Sequence, residues 1–129
     1  LARMVVLAVA IGNLDLHSKN LGLLHPLDGD VTLAPAYDIV PHSHLPGDGR
    51  MALAINGLYR HQDITRTDLV EEFASWGLRR TEPLIQAVLD QLHAVVSEER
   101  PLEGAFPRLQ EQLLGFVDNL RRGQAVGGR

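Results

Sequence analysis

The sequence contains no cysteine, and this absence removes several kinds of chemistry. A chain without thiols has no disulfide framework, no thiolate metal site and no cysteine nucleophile. Proteins of the cytoplasm do not depend on disulfides, because thiols are kept reduced there. A cytoplasmic protein is therefore the simplest interpretation of this composition.

An excess of positive charge is missing as well. The 129 residues include 12 Lys and Arg against 16 Asp and Glu, which gives a formal net charge of -4. Contact with nucleic acid through its phosphates requires clustered positive charge, so we expect no direct binding of nucleic acid. The length is enough for one compact domain with its own hydrophobic core.

A hydrophobic run long enough to cross a membrane is also lacking. Residues 1–11 are apolar except for Arg3, but a bilayer needs about 20 apolar residues, and no signal-peptide cleavage site follows. We predict a buried helix here, ended by Gly12 and Asn13. The helix has no polar lead-in, so we expect residue 1 to be a cut within a longer chain.

Short β-forming segments follow this helix. Residues 21–25 and 31–34 flank a turn rich in Pro, Asp and Gly, which predicts a small hairpin. A loop rich in Pro, Gly and His occupies residues 41–50. Residues 51–55 are predicted to form one more short extended piece.

The second half of the chain has the apolar periodicity of helices. Helix-end residues place three helices within residues 65–77, 81–101 and 107–122, and the first opens with a capping box of Thr65 and Asp68. The side chains expected to face the core are Leu69, Phe73, Trp76, Leu84, Ile85, Val88, Leu89, Leu92, Val95, Val96, Leu109, Leu113, Phe116, Val117 and Leu120.

These elements predict a mainly α fold with four main helices and one small β-hairpin. Residues 1–122 are expected to form one domain, and residues 123–129 a flexible tail. The remaining histidines are expected outside the core. His42 and His44 are assigned to an exposed loop, and the surface or boundary positions are His25, His61 and His93.

A polar insert at residues 12–20 separates the first helix from the hairpin. Within it Asp15 and Asn20 are five residues apart, as are the Asp and the Asn of a protein-kinase catalytic loop. In that loop the Asp accepts the proton of the substrate hydroxyl and the Asn binds metal. A second metal-binding carboxylate should arrive after a short hairpin, and Asp38 follows the predicted hairpin here.

The chemistry of phosphoryl transfer explains this set of residue types. The reaction needs hard oxygen ligands for Mg²⁺ and an acceptor near the attacking hydroxyl. Asn20 and Asp38 offer the ligands, and Asp15 offers the acceptor. Lys19 is placed to steady the transferred phosphate. His17 has two candidate roles, to orient Asp15 or to approach the nucleotide, and the sequence leaves both open.

A resemblance to a known family rests on these residues. Residues 11–20, IGNLDLHSKN, followed by residues 33–39, LAPAYDI, resemble the signature of the HipA-like serine/threonine kinases, the toxins of bacterial type II toxin-antitoxin systems. Residues 51–57 and 63–65 resemble the same family. The resemblance implies a two-lobed kinase-like fold, of which this chain is the largely helical C-terminal lobe.

The resemblance also implies residue roles and ligands. It makes Asp15 the catalytic base and makes Asn20 and Asp38 the magnesium ligands. It implies ATP and Mg²⁺ as cofactors, serine or threonine of a protein as the substrate, and a DNA-binding antitoxin as a partner. The implied contacts with ATP are His17, Ser18, Lys19, Asn20, Tyr37 and Asp38.

One feature of the kinase pattern is missing. No glycine-rich phosphate loop and no strand lysine precede Asp15, although both contact the nucleotide in kinases. Gly47 and Gly49 come after the loop and do not substitute for it. We therefore expect the N-terminal lobe to be absent from this chain and the isolated 129 residues to be inactive.

Other interpretations stay open. The loop also resembles the Asp-Arg-His-x-x-Asn loop of phosphatidylinositol 3- and 4-kinases, which makes a lipid or small-molecule substrate an alternative. Against it, Ile39 and Val40 stand where those enzymes have Phe and Gly. A non-catalytic remnant that only binds a partner is another alternative, since Asp and Asn are common in turns. Zinc binding is disfavoured because no His pair has i, i+4 spacing.

Overall fold

The computed structural model describes residues 1–128, which form four α-helices and two antiparallel two-stranded sheets. The helices are α1 (Ala2–Ile11), α2 (Arg66–Ser75), α3 (Glu82–Glu98) and α4 (Leu109–Arg121). The strands are β1 (Leu23–Leu24), β2 (Thr32–Leu33), β3 (Arg50–Ile55) and β4 (Leu58–Arg60). Short 3-10 turns lie at Ser18–Asn20 and His61–Asp63. The predicted mainly α fold with a small hairpin is confirmed.

Helix α1 lies at the centre of the core and packs against α3 and α4. All of its residues except Arg3 are apolar, and such a helix is stable only where protein buries most of its surface. Val6, Ala8, Val9 and Ala10 are completely buried. The helix predicted for residues 1–11 is confirmed. Within residues 1–128, no helix combines the length and the apolar character that crossing a membrane demands.

Gly12 ends α1 in a left-handed conformation, with φ of 70°. The N–H groups of Gly12 and Asn13 donate to the carbonyls of Val9 and Ala8, which is the hydrogen-bond pattern of a Schellman cap. A Cβ on Gly12 would also lie 2.7 Å from the hydroxyl of Ser43. Glycine is therefore required both by the backbone conformation and by the close packing, and the chain turns sharply at this residue.

Helices α3 and α4 pack against each other as well as against α1. Ile85 and Leu89 of α3 and Val117 and Leu120 of α4 are buried, as predicted. Val95 was expected in the core but is 49% exposed. The reason is an open groove of about 450 Å³ between the start of α1 and this end of α3, whose wall includes Val95.

Trp76 is a second correction to the predicted core. Its ring is 39% exposed just beyond α2, and its indole N–H donates to Glu72 Oε1 at 3.0 Å. One side of the ring contacts Phe73, with centroids 5.0 Å apart. Because the indole N–H needs a polar partner, Trp76 covers the completely buried Phe73 from the surface instead of entering the core.

The capping box at the start of α2 is confirmed. Thr65 N donates to Asp68 Oδ2 at 2.8 Å, and Asp68 N donates to Thr65 Oγ1 at 3.2 Å. Partial burial raises the pKa of Asp68, but hydrogen bonds from Thr65 and Asn56 outweigh this, and the pKa lies below its ordinary value. The carboxylate is thus held ionised at the positive end of the helix.

Both sheets are hairpins. Strands β1 and β2 pair Leu23 with Leu33, which confirms the first predicted hairpin. The extended piece of residues 51–55 is part of β3, but its partner β4 was not predicted. The two strands of the second hairpin meet at Asn56 and Gly57, which both have positive φ. Asn-Gly is the preferred pair for a two-residue hairpin turn, so the signal was present in the sequence.

The end of the chain is packed, and the predicted flexible tail is wrong for residues 125–127. Val126 is completely buried, and its N–H donates to Ile64 O at 2.9 Å. Gly127 N donates to Gln62 O at 2.9 Å, and Asn119 Nδ2 donates to Val126 O at 2.9 Å. These partners come from distant parts of the sequence, so local composition gave no sign of them. Residue 129 lies outside the described residues.

His61 was expected at the surface or its boundary, but it is 4% exposed. Its Nε2 lies 2.7 Å from Val9 O in the last turn of α1. A carbonyl only accepts hydrogen bonds, so Nε2 carries the proton. The ring also meets Phe116 edge-on. Burial lowers the pKa of His61 below its ordinary value, although the bond to Val9 acts in the opposite direction.

The lowered pKa of His61 predicts a loss of stability in mild acid. The unfolded chain binds a proton near pH 6.5, whereas the folded state resists protonation until a lower pH. The contribution of neutral His61 is therefore complete above pH 6.5 and is lost as the pH falls below it. Urea unfolding should be followed between pH 8 and pH 5, about one and a half units on either side of pH 6.5. The free energy of unfolding should fall as the pH decreases through this range.

His61→Gln is the informative variant, because glutamine keeps a donor for Val9 O but does not titrate. It should have a flatter dependence of stability on pH, while His25→Gln, in the exposed hairpin turn, should match the wild type. Equal pH dependence in all three proteins would contradict the assignment to His61.

Gly12→Ala should destabilise the fold more than Gly57→Ala. Both glycines have positive φ, but a Cβ at Gly57 would meet no atom within 4 Å. The left-handed conformation costs an alanine about 1–2 kcal/mol, and this is the expected loss for Gly57→Ala. Gly12→Ala adds the contact with Ser43, so its loss of unfolding free energy in urea should be clearly larger. Equal losses of unfolding free energy in the two variants would show that the Ser43 side chain makes room for the new methyl group at little cost.

Candidate functional site

Residues 12–20 form a loop, here called the polar loop, that leaves the end of α1 and is held on two sides. His42 N donates to Gly12 O at 2.8 Å, and Ala52 N donates to Leu14 O at 2.8 Å. Between these bonds the side chain of Leu16 is buried in the core. The backbone of the polar loop is therefore attached to β3, to the 41–50 segment and to the hydrophobic core.

Asn20 and Asp38 meet at the centre of the site. Asn20 Nδ2 donates to Asp38 Oδ2 at 3.0 Å, and Asn20 Oδ1 accepts from His17 N at 2.9 Å. The antiparallel hairpin of β1 and β2 reverses the chain between them, as the sequence argument expected. An amide nitrogen does not accept hydrogen bonds, so these two contacts together determine the orientation of the Asn20 side chain.

Asp38 has an unfavourable backbone conformation. Its φ is 56°, in the left-handed region that costs a residue with a side chain about 1–2 kcal/mol. The bond from Asn20 holds its carboxylate, and Asn13 Nδ2 donates to its backbone carbonyl at 3.4 Å. Just before it, Tyr37 OH donates to Lys19 O at 2.7 Å. The polar loop thus holds Asp38 through two side-chain contacts and its neighbour Tyr37 through a third.

Asp15 points outwards from the polar loop. Its side chain is 64% exposed, and His17 Nε2 lies 3.9 Å from its Oδ1. Asp15 lines an open groove of about 340 Å³ together with His42, Asp48 and Arg50. The structure therefore puts His17 beside Asp15, which is one of the two positions considered for it.

The remaining predicted nucleotide contacts lie on the polar loop and on the segment that follows β2. Ser18 and Lys19 are exposed on the 3-10 turn that ends at Asn20. Tyr37 is 45% exposed and is attached to this turn through its hydroxyl. All seven residues named from the sequence thus lie on two segments, the polar loop and the segment that follows β2, which are joined by the Asn20–Asp38 and Tyr37–Lys19 hydrogen bonds.

Asn20 and Asp38 carry oxygen atoms of the type that binds magnesium. Asn20 Oδ1 accepts one hydrogen bond from His17, and a carbonyl oxygen has two lone pairs, so one remains for a metal. The Asp38 carboxylate is adjacent. Mg²⁺ in phosphoryl-transfer sites is held by one or two protein groups, with phosphate and water as its other ligands. Among residues 1–128 no group of three His, Asp or Glu forms a closed metal site.

Two expectations about the neighbouring loop need adjustment. His42 and His44 were assigned to an exposed loop, but both are partly buried, and the His44 ring stacks on Phe106 with centroids 4.6 Å apart. His42 also bonds to the end of α1, since its backbone N–H donates to Gly12 O.

Asn13 is a site residue that sequence reasoning passed over. It was assigned only a role in ending α1, yet its side chain is completely buried and contacts both Asp15 and Asp38. The sequence signal for a role of Asn13 in the site was its position, because it is a polar residue directly after the helix-ending Gly12.

Comparison with known proteins agrees with this geometry. The family model described as the HipA-like C-terminal domain matches residues 1–99. This match covers α1, the polar loop, both hairpins, α2 and α3, and ends before α4. No curated protein gives a significant match to the chain. Because the matched residues form most of the chain and include the whole site, the protein belongs to the family of HipA-like C-terminal domains.

Proposed function

We propose that this chain provides the catalytic and metal-binding part of a protein serine/threonine kinase. The observation that carries the proposal is the 3.0 Å hydrogen bond from Asn20 to Asp38, made by the same polar loop that carries the exposed Asp15, in a chain of the HipA-like family. Phosphoryl transfer depends mainly on positioning and on neutralising phosphate charge. Oxygen ligands from Asn20 and Asp38 and an accessible carboxylate on the same loop are what such a site needs from the protein.

Asp15 is the proposed base. Its exposed carboxylate can accept the proton of an acceptor hydroxyl that enters the adjoining groove. Leu14 and Leu16 on either side of Asp15 are held by the β3 contact and by burial, so the backbone that carries the base is anchored. His17, at 3.9 Å, is placed to orient the carboxylate.

Asn20 and Asp38 are the proposed ligands of Mg²⁺. When bound, the ion would neutralise charge on the phosphates of ATP. The contribution of the chain is to hold both side chains in one place, which it does through the bond between them and through the His17 N–H. Ser18, Lys19 and Tyr37 complete the proposed nucleotide surface, with the Lys19 ammonium exposed toward an incoming phosphate.

The proposal extends to the ligands that the family resemblance implies. The acceptor would be serine or threonine of a protein, and a DNA-binding antitoxin would restrain the kinase. The phosphatidylinositol-kinase alternative is less well supported, because Asp38 is followed by Ile39 and Val40 instead of Phe and Gly.

Substitution of the three central residues tests the proposal. In the complete gene product, Asp15→Ala should lower the rate of phosphate transfer about 10²- to 10⁴-fold, the usual contribution of a general base. Asn20→Ala and Asp38→Ala should abolish measurable transfer, because each removes a metal ligand. The rate is measured as radiolabelled phosphate incorporated from ATP.

Circular dichroism and thermal unfolding establish that each variant is folded. Asp28→Ala is the matched control, since Asp28 is an exposed carboxylate in the turn between β1 and β2. It should retain the wild-type rate. A folded Asp15→Ala protein with the wild-type rate would refute the role of Asp15 as base.

The isolated 129 residues should show no autophosphorylation with ATP and Mg²⁺. The physical reason is that no glycine-rich loop and no strand lysine precede the polar loop in this sequence, and these groups hold the phosphates in kinases. Phosphate incorporation by the purified 129-residue chain is the measurement. Sustained turnover, in a preparation shown to be pure by mass spectrometry, would mean that these residues bind the nucleotide on their own.

A further inference from the structure

Asn13 is a polar side chain enclosed by the core at the junction of α1 and the polar loop. It is 0% exposed. Its Oδ1 accepts from Asp15 N at 3.2 Å, and its Nδ2 donates to Asp38 O at 3.4 Å. One buried amide therefore contacts the backbone of the proposed base and the backbone of a proposed metal ligand, 25 positions apart in the sequence.

Burial makes these two contacts important for the local structure. A buried amide group without hydrogen bonds is strongly unfavourable, so Asn13 is stable in this position only while both partners stay in place. The same two contacts also restrain Asp15 and Asp38. If Asp15 or Asp38 shifts, a buried donor or acceptor loses its partner, and the environment opposes the shift.

The backbone of Asp38 needs such a constraint. Its left-handed conformation, with φ of 56°, is unfavourable for a residue that carries a side chain, and it persists only where surrounding contacts determine it. Asn20 holds the Asp38 carboxylate, while Asn13 holds the Asp38 carbonyl. The two amides thus act on different ends of the same residue.

We propose that Asn13 is a positioning residue that sets the place of Asp15 relative to Asp38. This inference rests on the proposed kinase function. Asn13 touches neither nucleotide nor acceptor and acts through the backbone of the residues that do. Outer groups that orient metal ligands typically change metal affinity about 10- to 100-fold when they are removed.

Two substitutions separate the two contacts. In Asn13→Asp the side chain keeps an acceptor for Asp15 N but loses the donor to Asp38 O. The Mg²⁺ concentration that gives half-maximal transfer should rise about 10- to 100-fold. Asn13→Ala loses both contacts and should in addition lower the rate at saturating Mg²⁺. Both variants are measured in the complete gene product as radiolabelled phosphate transferred from ATP across a Mg²⁺ titration.

Asn119 provides matched controls. Its Nδ2 also donates to a backbone carbonyl, that of Val126, at 2.9 Å, but it lies on α4 and outside the site. Asn119→Asp and Asn119→Ala should lower the unfolding temperature and leave the Mg²⁺ dependence and the rate unchanged. A purely structural role for Asn13 predicts the same behaviour at both asparagines, so the Mg²⁺ titration distinguishes positioning from stability.

A measurement on the wild type covers the case in which the Asn13 variants do not fold. The Asp15 amide donates to buried Asn13 Oδ1, so it should exchange with solvent deuterium slowly, although the Asp15 side chain is 64% exposed. Rapid exchange of this amide would overturn the inference.

The kinase function and the positioning role of Asn13 are refuted by different results. If the wild type transfers phosphate and folded Asn13→Asp has an unchanged Mg²⁺ requirement, the role of Asn13 is refuted and the kinase function stands. If the wild-type gene product transfers no phosphate, the kinase function is refuted and the positioning role falls with it.

Discussion

The burial of α1 is the constraint on which the rest of the structure depends. Each completely buried valine in this helix, Val6 and Val9, contributes about 1.5–3 kcal/mol relative to an exposed one. The helix is covered by α3 and α4, and its last turn also carries the His61 bond to Val9. Its C-terminal end therefore has little freedom. The polar loop begins at that end and takes its position from it.

The change from apolar helix to polar loop occurs within two residues. Gly12 reverses the backbone at φ of 70°, and Asn13 immediately supplies hydrogen bonds where the chain is still buried. A rigid apolar element thus presents hydrophilic side chains at its end, and Asn13 supplies hydrogen-bond partners to the backbones of Asp15 and Asp38. Such an arrangement suits a site that must hold oxygen donors within fractions of an ångström, since functional geometry is kept best on rigid elements.

Several features of the fold followed from local sequence patterns. The capping box of Thr65 and Asp68, the helix-ending Gly12 and the first hairpin were predictable, because each depends on residues close together in the chain. The missed elements depended on distant partners. His61 is enclosed by α1 and Phe116, and Val126 packs into the core while its N–H donates to Ile64 O. The turn at Asn56 and Gly57 is different, because the Asn-Gly pair is itself a local signal for a hairpin turn.

For the candidate site, the sequence by itself determined the residue types on which the proposed chemistry depends, because Asp15, Asn20 and Asp38 carry side-chain oxygens on either side of a hairpin. Only the tertiary structure decided how these groups are held. The 3.0 Å contact of Asn20 with Asp38 and the buried Asn13 between Asp15 and Asp38 join residues across the hairpin. Periodicity and spacing describe neighbours along the chain, whereas burial and hydrogen bonding depend on which segments pack together.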